Sequence, residues 1–531
     1  MPVNISKKQI SDLKNRISQA LRTEQSNIKK IKYVESNENK TTLVQPNNYV
    51  IWGRRGSGKT TLLLVSFFET YVEKKLPVFI DSKLYKNHTY PDLLIKILIT
   101  LFEDIDTIIK KGMWGFFRKR LFTKEIGELK IYLSKHGDKT DIRREEYNKS
   151  LDSLGADFQA KNVGNVSALS QSEKAITESY SYSEDKIQFL EKNMDRYQKL
   201  ILQALKKSGK AELIIFVDDY YYIHIKDQPF IIDYLHRLLY NTNGWLKIAS
   251  NRYSSKLYAR TKEGDRIGLT EGEDCLSIDL DFTLVKFRDT ERFLLKIIKN
   301  HAETVKIDDI EKWFSPNSFT RLVWCSGGVP RDFLNLMILI LNKLEENEKI
   351  GLYLINDSSQ DYYENKLSNI ESEYEQTNQI KELFDKLFYL CIEKYKTTGF
   401  LIENTTNALH EQKAFKDLID NRLIHLVEKN ISAKAYSGKR FNGYILNVGS
   451  YAKLLRLKQK KQPHEINIIK DPQRPIDSEI RSIAPSISEK EVEQLDLKNI
   501  DFSSPSIKIK QIKKDEENKD LNTNALLKWI K

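Results

Sequence analysis

The residues best suited to chemistry are GRRGSGKT at 53–60, which satisfies the spacing GxxxxGK[ST]. An apolar run that reads as a strand precedes it, and a stretch that reads as a helix follows it. Gly53, Gly56 and Gly58 allow the tight backbone path that aims successive N–H groups at phosphate oxygens. The start of the following helix adds its positive dipole end. Lys59 is then placed to reach the β- and γ-phosphates of a nucleotide, and the Thr60 hydroxyl to meet Mg²⁺. Gly53, Arg54, Arg55, Gly56, Ser57, Gly58, Lys59, Thr60 and Thr61 are the candidate nucleotide-binding residues. The short pattern alone is not rare in a long chain; the flanking elements make it informative.

Three further stretches supply the groups such a site needs. LIIFVDDYYYI (213–223) is an apolar strand ending in two carboxylates. Asp218 suits a residue that holds the Mg²⁺ shell, usually through water. Asp219 occupies the place where a Glu commonly polarises the attacking water; being one methylene shorter, it calls for a closer approach or a slower reaction. The alternative is a buried strand that simply ends at solvent-facing acids. WLKIASNR (245–252) ends in polar residues, and Ser250 is placed to hydrogen-bond the γ-phosphate or the water, with Asn251 exchanged for it by a one-residue slip. Arg252 adds positive charge there, unless the pair is only a capping Ser and a surface Arg. In SGGVPRDFLNLM (326–337), Arg331 falls in the first turn of a helix, where the dipole disfavours a cation unless an anion sits nearby.

Positioning these groups requires a parallel α/β sheet. Strand candidates are 49–52, 77–80, 213–217 and 246–249, alternating with amphipathic helices. The organisation reads as an N-terminal helical segment (1–45), an α/β core (46–260) with an insertion at about 103–195, and a helical lid (261–375). Within the insertion region, 92–109 reads as a helix, 110–124 as basic-aromatic, and the Ser-rich 165–185 as an exposed hairpin or disordered loop. Residues 376–456 read as helices followed by a two-stranded hairpin, the pattern of a winged helix; 457–531 read as a polar, disordered tail.

Together the four motifs, in this order, resemble an AAA+ P-loop ATPase of the origin-recognition and replication-initiator branch, whose prokaryotic relatives lie near the signal-transducing STAND ATPases. The resemblance covers roughly residues 46–456, and GGVPR followed by the winged-helix pattern is its more specific part. It implies a P-loop parallel-sheet ATPase core with an α-helical lid and a C-terminal winged-helix domain, binding ATP and Mg²⁺ between core and lid. It implies phosphate and Mg²⁺ roles for Lys59 and Thr60, acidic-strand roles for Asp218 and Asp219, and γ-phosphate-sensing roles for Ser250 and Arg331. Two departures stand out: Asp-Asp replaces the commoner Asp-Glu, and the insertion is larger than in replication initiators. Relatives with such insertions often look like parts of defence or mobile-element systems, an association only.

Charge bears on partners. The 531 residues carry 86 basic and 74 acidic side chains, a net +12, with 64 Lys against 22 Arg. An AT-rich coding sequence yields the same Lys excess without selection for a polyanion. Residues 432–531, however, hold 20 basic and 13 acidic residues, more than half the excess. Lys434, Lys439 and Arg440 lie in the expected wing and suit duplex DNA, while Asp417 and Asp420 in the expected recognition helix 413–421 would repel it. A protein effector or a homo-oligomer is the other kind of partner considered. Cys275, Cys325 and Cys391 are scattered, which excludes a disulfide framework and a Cys-based zinc site. No signal peptide and no membrane span is expected, so the expected location is cytoplasmic. The reading is an ATP-driven switch with slow hydrolysis; a non-enzymatic ATP-dependent DNA-binding regulator and a signalling scaffold without DNA contact are the alternatives.

Overall fold

The four apolar runs form β1 (Tyr49–Trp52), β2 (Leu76–Asp81), β3 (Leu213–Asp218) and β4 (Gly244–Ser250) in the computed structural model. Every residue of β1 and β3 is buried, as continuous apolar strands covered on both faces require. A small antiparallel pair follows, β5 (Tyr258–Arg260) and β6 (Arg266–Gly268), and then β7 (Leu276–Asp279). The main sheet is parallel, in the order β2-β3-β4-β1-β7. Its register sets Asp81 beside Asp218 and Trp52 beside Ser250, so the polar tips share the carboxyl end of the sheet. Residues 266–268 and 276–279, assigned to the lid from sequence, are strands of the α/β unit. An edge strand of four residues with one buried side chain is too short to show a period.

The described residues are 5–21, 33–34, 39–73, 75–110, 120–134, 166–260, 264–281, 284–373, 377–395, 397–405, 409, 412–432, 438–452 and 486–495. They fall into two compact units: Asn37–Trp52 with Lys59–Asp279, and Met1–Ser36 with Gly53–Gly58 and Leu280–Lys531.

In the first unit, helices Asp92–Lys110, Thr123–Ser134 and Val166–Ser208 are the described part of the insertion region. Phe102 stacks on Phe122 with ring centroids 4.5 Å apart, and Tyr197 closes on Phe102 at 5.1 Å. Buried Asp106 accepts from the Leu121 and Phe122 N–H groups at 2.7 and 3.1 Å, so the turn entering Thr123–Ser134 is satisfied inside the core. The Ser-rich stretch is helix, contrary to the hairpin or loop expected. Residues 166–208 contain neither Gly nor Pro, and the weak preferences of Ser are outvoted by the packed half of the helix. Most of the basic-aromatic stretch, 111–119, lies outside the described residues.

The second unit is helical, with one sheet. Ile10, Leu13 and Ile17 of Lys7–Leu21 are buried, as their spacing predicts. Helices Phe287–Thr304, Ser318–Cys325, Pro330–Lys343 and Leu352–Glu373 follow. Then come helix Thr377–Phe388, β8 (Gly399–Glu403), helix Lys413–Asp420, β9 (Ile424–Ile431) and β10 (Phe441–Leu446), with the strands antiparallel in the order β8-β10-β9. β8 is a strand that the sequence pattern does not predict. Within the expected tail, residues 486–495 dock on this module: Ile487 N–H donates to Leu401 O at 2.9 Å, and Glu491 accepts from Lys394 and Tyr395, each at 2.6 Å. No helix among the described residues is long and apolar enough to cross a membrane.

Phe122 is fully buried against Phe102, so Phe122→Ala should cost about 3–5 kcal/mol and lower the urea midpoint of the first unit. An unchanged midpoint would contradict this packing.

Candidate functional site

Helix Lys59–Val72 begins at the motif's Lys, and β3 delivers the two acids on the same unit. Asp218 is 4% exposed; its Oδ1 accepts the Asp219 N–H at 2.9 Å, and its carboxylate hydrogen-bonds the Thr60 hydroxyl. Burial, and next the charge of Asp219, push its pKa up to about 7, against the pull of Thr60 and Lys59. Such a carboxylate is short of positive charge; with the Thr60 hydroxyl it makes a hard oxygen donor set of the kind Mg²⁺ takes. Among the described residues no group of three His, Cys, Asp or Glu is placed to hold a metal ion.

Asp219 turns out of the strand with a left-handed backbone, φ 51°. Burial raises its pKa, while Lys59 and a hydrogen bond from Tyr221 oppose. Lys59 is itself buried, its Nζ 5.9 Å from the Tyr221 ring centroid. Ser250 is buried at the tip of β4 and bonded to the Ser255 hydroxyl. Arg252 goes elsewhere: it lies 4.9 Å over the Trp52 ring and 3.7 Å from Glu271, which also accepts from Trp52 Nε1 at 3.2 Å.

The glycine turn Gly53–Gly58 is held within the second unit. Arg54 N–H donates to Asp281 Oδ1 at 2.7 Å. The Arg54 side chain, only 4% exposed, reaches Gly327 O at 3.4 Å and approaches His425 Nδ1 at 3.5 Å; the sequence had placed this residue on the nucleotide. Arg422 Nη1 donates to Arg55 O at 2.9 Å, and Arg331 N–H donates to Gly56 O at 3.2 Å. Gly56 has φ 91°, and a Cβ there would sit 2.7 Å from Arg331 Cβ, so only glycine fits. The Arg55 and Arg331 side chains are exposed.

Behind the turn lies a charge cluster that sequence reasoning missed. Asp332, next to Arg331, is 1% exposed and takes Arg422 Nη1 at 2.7 Å, Lys366 Nζ at 2.8 Å and Tyr362 OH at 3.0 Å. Burial acts to raise its pKa, but Arg422 and Lys366 outweigh it and hold the carboxyl down to about 2. Burial lowers Lys366 to about 8 even so. His425 stays neutral: burial, then Arg54 and Lys366, push its pKa well down, and Asn447 Nδ2 flanks the ring at 3.2 Å. The position of Asp332 just after GGVPR was a usable signal. Arg422 and His425 gave none, because nothing local marks which residues of a strand will meet a loop some 370 positions away.

On the expected wing, Lys439 pairs with Glu403 at 2.8 Å and Arg440 donates to Asn430 O at 3.4 Å, while Lys434 lies outside the described residues.

No protein-family description and no curated protein matches the sequence. Similar solved structures include the Orc1 protein of Aeropyrum pernix in complex with DNA, at 12% identity and TM-score 0.31, covering 87% of this chain and 94% of that one. Drosophila ORC bound to DNA is another, at 12% identity and TM-score 0.26, covering 75% of this chain and 87% of that one.

Because the pKa of Asp218 is about 7 when folded against 3.8 ordinarily, the folded protein holds a proton between those values that the unfolded chain has lost. Its contribution to stability therefore falls as pH rises from about 4 to 7. Asp218→Asn should melt higher than the wild type at pH 8 without nucleotide, with the gain shrinking toward pH 5. A gain independent of pH, or a loss at pH 8, would contradict a buried, cation-starved carboxylate.

Proposed function

We propose that the chain is an ATP-binding switch that hydrolyses ATP slowly and couples nucleotide state to the module formed by β8, β9 and β10. The observation that supports it best is the GRRGSGKT motif between β1 and helix Lys59–Val72, with Thr60 bonded to the buried Asp218 at the tip of β3. Thr60 and Asp218 would hold Mg²⁺, which supplies positive charge to the γ-phosphate. Lys59 neutralises the phosphates, and Asp219 orients the water that attacks the γ-phosphorus. Asp219 is short and already engaged by Tyr221, which favours slow turnover.

Coupling would run through the glycine turn. Its side chains and carbonyls are held by Arg422 and by His425 beside Arg54, both contributed by the segment entering and forming β9. A phosphate group drawn into the turn competes for the arginines that flank Gly56, loosening that hold. The module's helix–strand–helix–hairpin order fits a winged helix, and its basic edge favours duplex DNA as partner, with Lys439 and Arg440 on the wing.

The full chain should bind ATP·Mg²⁺ in calorimetry, and Lys59→Ala should lose at least about 1.4 kcal/mol of that affinity, a factor of ten. Equal affinity of the two proteins would sink the proposal.

A further inference from the structure

Asp219 alone makes a weak water-holding group: it is a methylene shorter than Glu, and its carboxylate is hydrogen-bonded to Tyr221. A second candidate stands at the neighbouring strand tip. β2 ends at Asp81, the register partner of Asp218 on β3. Partners on adjacent parallel strands lie about 4.8 Å apart, with side chains on the same face. Asp81 Oδ1 accepts the Lys83 N–H at 3.0 Å as the N-cap of the turn Ser82–Tyr85, which fixes the carboxylate in orientation. Its second oxygen has no donor among the described residues.

The turn Ser82–Tyr85 faces the turn Tyr220–Tyr222 that carries Asp219 into position. The charge of Asp81 is felt at Asp219, and Lys59 and Lys83 supply opposing positive charge from helix Lys59–Val72 and from Asp81's own turn. Carboxylates on neighbouring tips, one fixed by a backbone N–H and with an oxygen to spare, suit a shared water better than either does alone. The nucleotide motif gives that water its target, since Thr60 of the motif is bonded to Asp218, the register partner of Asp81 and the chain neighbour of Asp219.

We propose that Asp81 is the second water-orienting carboxylate of the hydrolytic site, acting with Asp219 where one longer Glu would otherwise suffice. This rests on the ATPase reading. In the step, the water oxygen bonds to the γ-phosphorus while the bond from that phosphorus to the β–γ bridging oxygen breaks. ADP leaves with the bridging oxygen, and the proton given up by the water ends on the released phosphate.

The test is phosphate release from ATP·Mg²⁺ by the full chain, comparing wild type, Asp81→Asn, Asp81→Glu and Lys59→Ala. Asn retains the cap acceptor, so a melting curve close to wild type checks that the turn persists. The expected result for Asp81→Asn is a kcat at least about tenfold lower with KM for ATP within about twofold. Asp81→Glu should recover much of the rate. A wild-type kcat in Asp81→Asn overturns the assignment, as does a loss of ATP binding like that of Lys59→Ala. A wild type that binds ATP but releases no more phosphate than Lys59→Ala also overturns it while leaving nucleotide binding standing. A wild type that fails to bind ATP overturns the ATPase reading itself.

Discussion

A loop that must present N–H groups to a polyanion can be held in place only through its carbonyls and side chains. The turn Gly53–Gly58 follows that constraint closely. The carbonyls of Arg55 and Gly56 are taken by Arg422 and by the Arg331 N–H, and the Arg54 side chain is tied to Asp281 and Gly327. Meanwhile the N–H groups of Gly56 and Gly58 have no protein acceptor among the described residues. The groups doing the holding come from Asp281, from Gly327 and the start of helix Pro330–Lys343, and from the segment around β9. Any change in the turn is therefore felt first by those segments.

Both halves of the motif depend on buried charge, arranged in opposite ways. Asp332 is over-compensated by Arg422 and Lys366, which keeps it ionised in the interior. Removing one partner of such a cluster is costly because it strands the others, so the cluster serves better as a fixed geometry than as a source of stability. Asp218 is under-compensated: Thr60 and Lys59 do not offset burial and the charge of Asp219. A group that destabilises the protein at neutral pH until a cation arrives is the kind of local conflict expected at a functional site.

Much of this was legible in the sequence, and the limits have physical causes. β1 to β4 announce themselves as short apolar runs because both faces of a parallel strand are covered. GRRGSGKT, Asp218 and Asp219 are contiguous signals, whereas Asp332 goes unread although it follows GGVPR directly. Asp81, Arg422 and His425 were invisible, because their roles come from strand register and from contacts between distant segments, which composition and spacing do not encode. Arg252 follows a strand tip, a position that suggests the γ-phosphate, and in the structure its contacts are the neighbouring Trp52 ring and Glu271, which spacing does not reveal. The Ser-rich helix Val166–Ser208 and the docked segment 486–495 were missed because weak local preferences gave way to packing.

The central claim is that nucleotide in the glycine turn loosens the hold of Arg422 and His425 on it. Amide hydrogen exchange of the full chain, with and without ATP·Mg²⁺, reads this directly. Residues 422–431 should exchange faster once ATP is bound in the wild type, and at an unchanged rate in Lys59→Ala. Unchanged exchange across 422–431 in wild-type protein with ATP demonstrably bound would contradict the account.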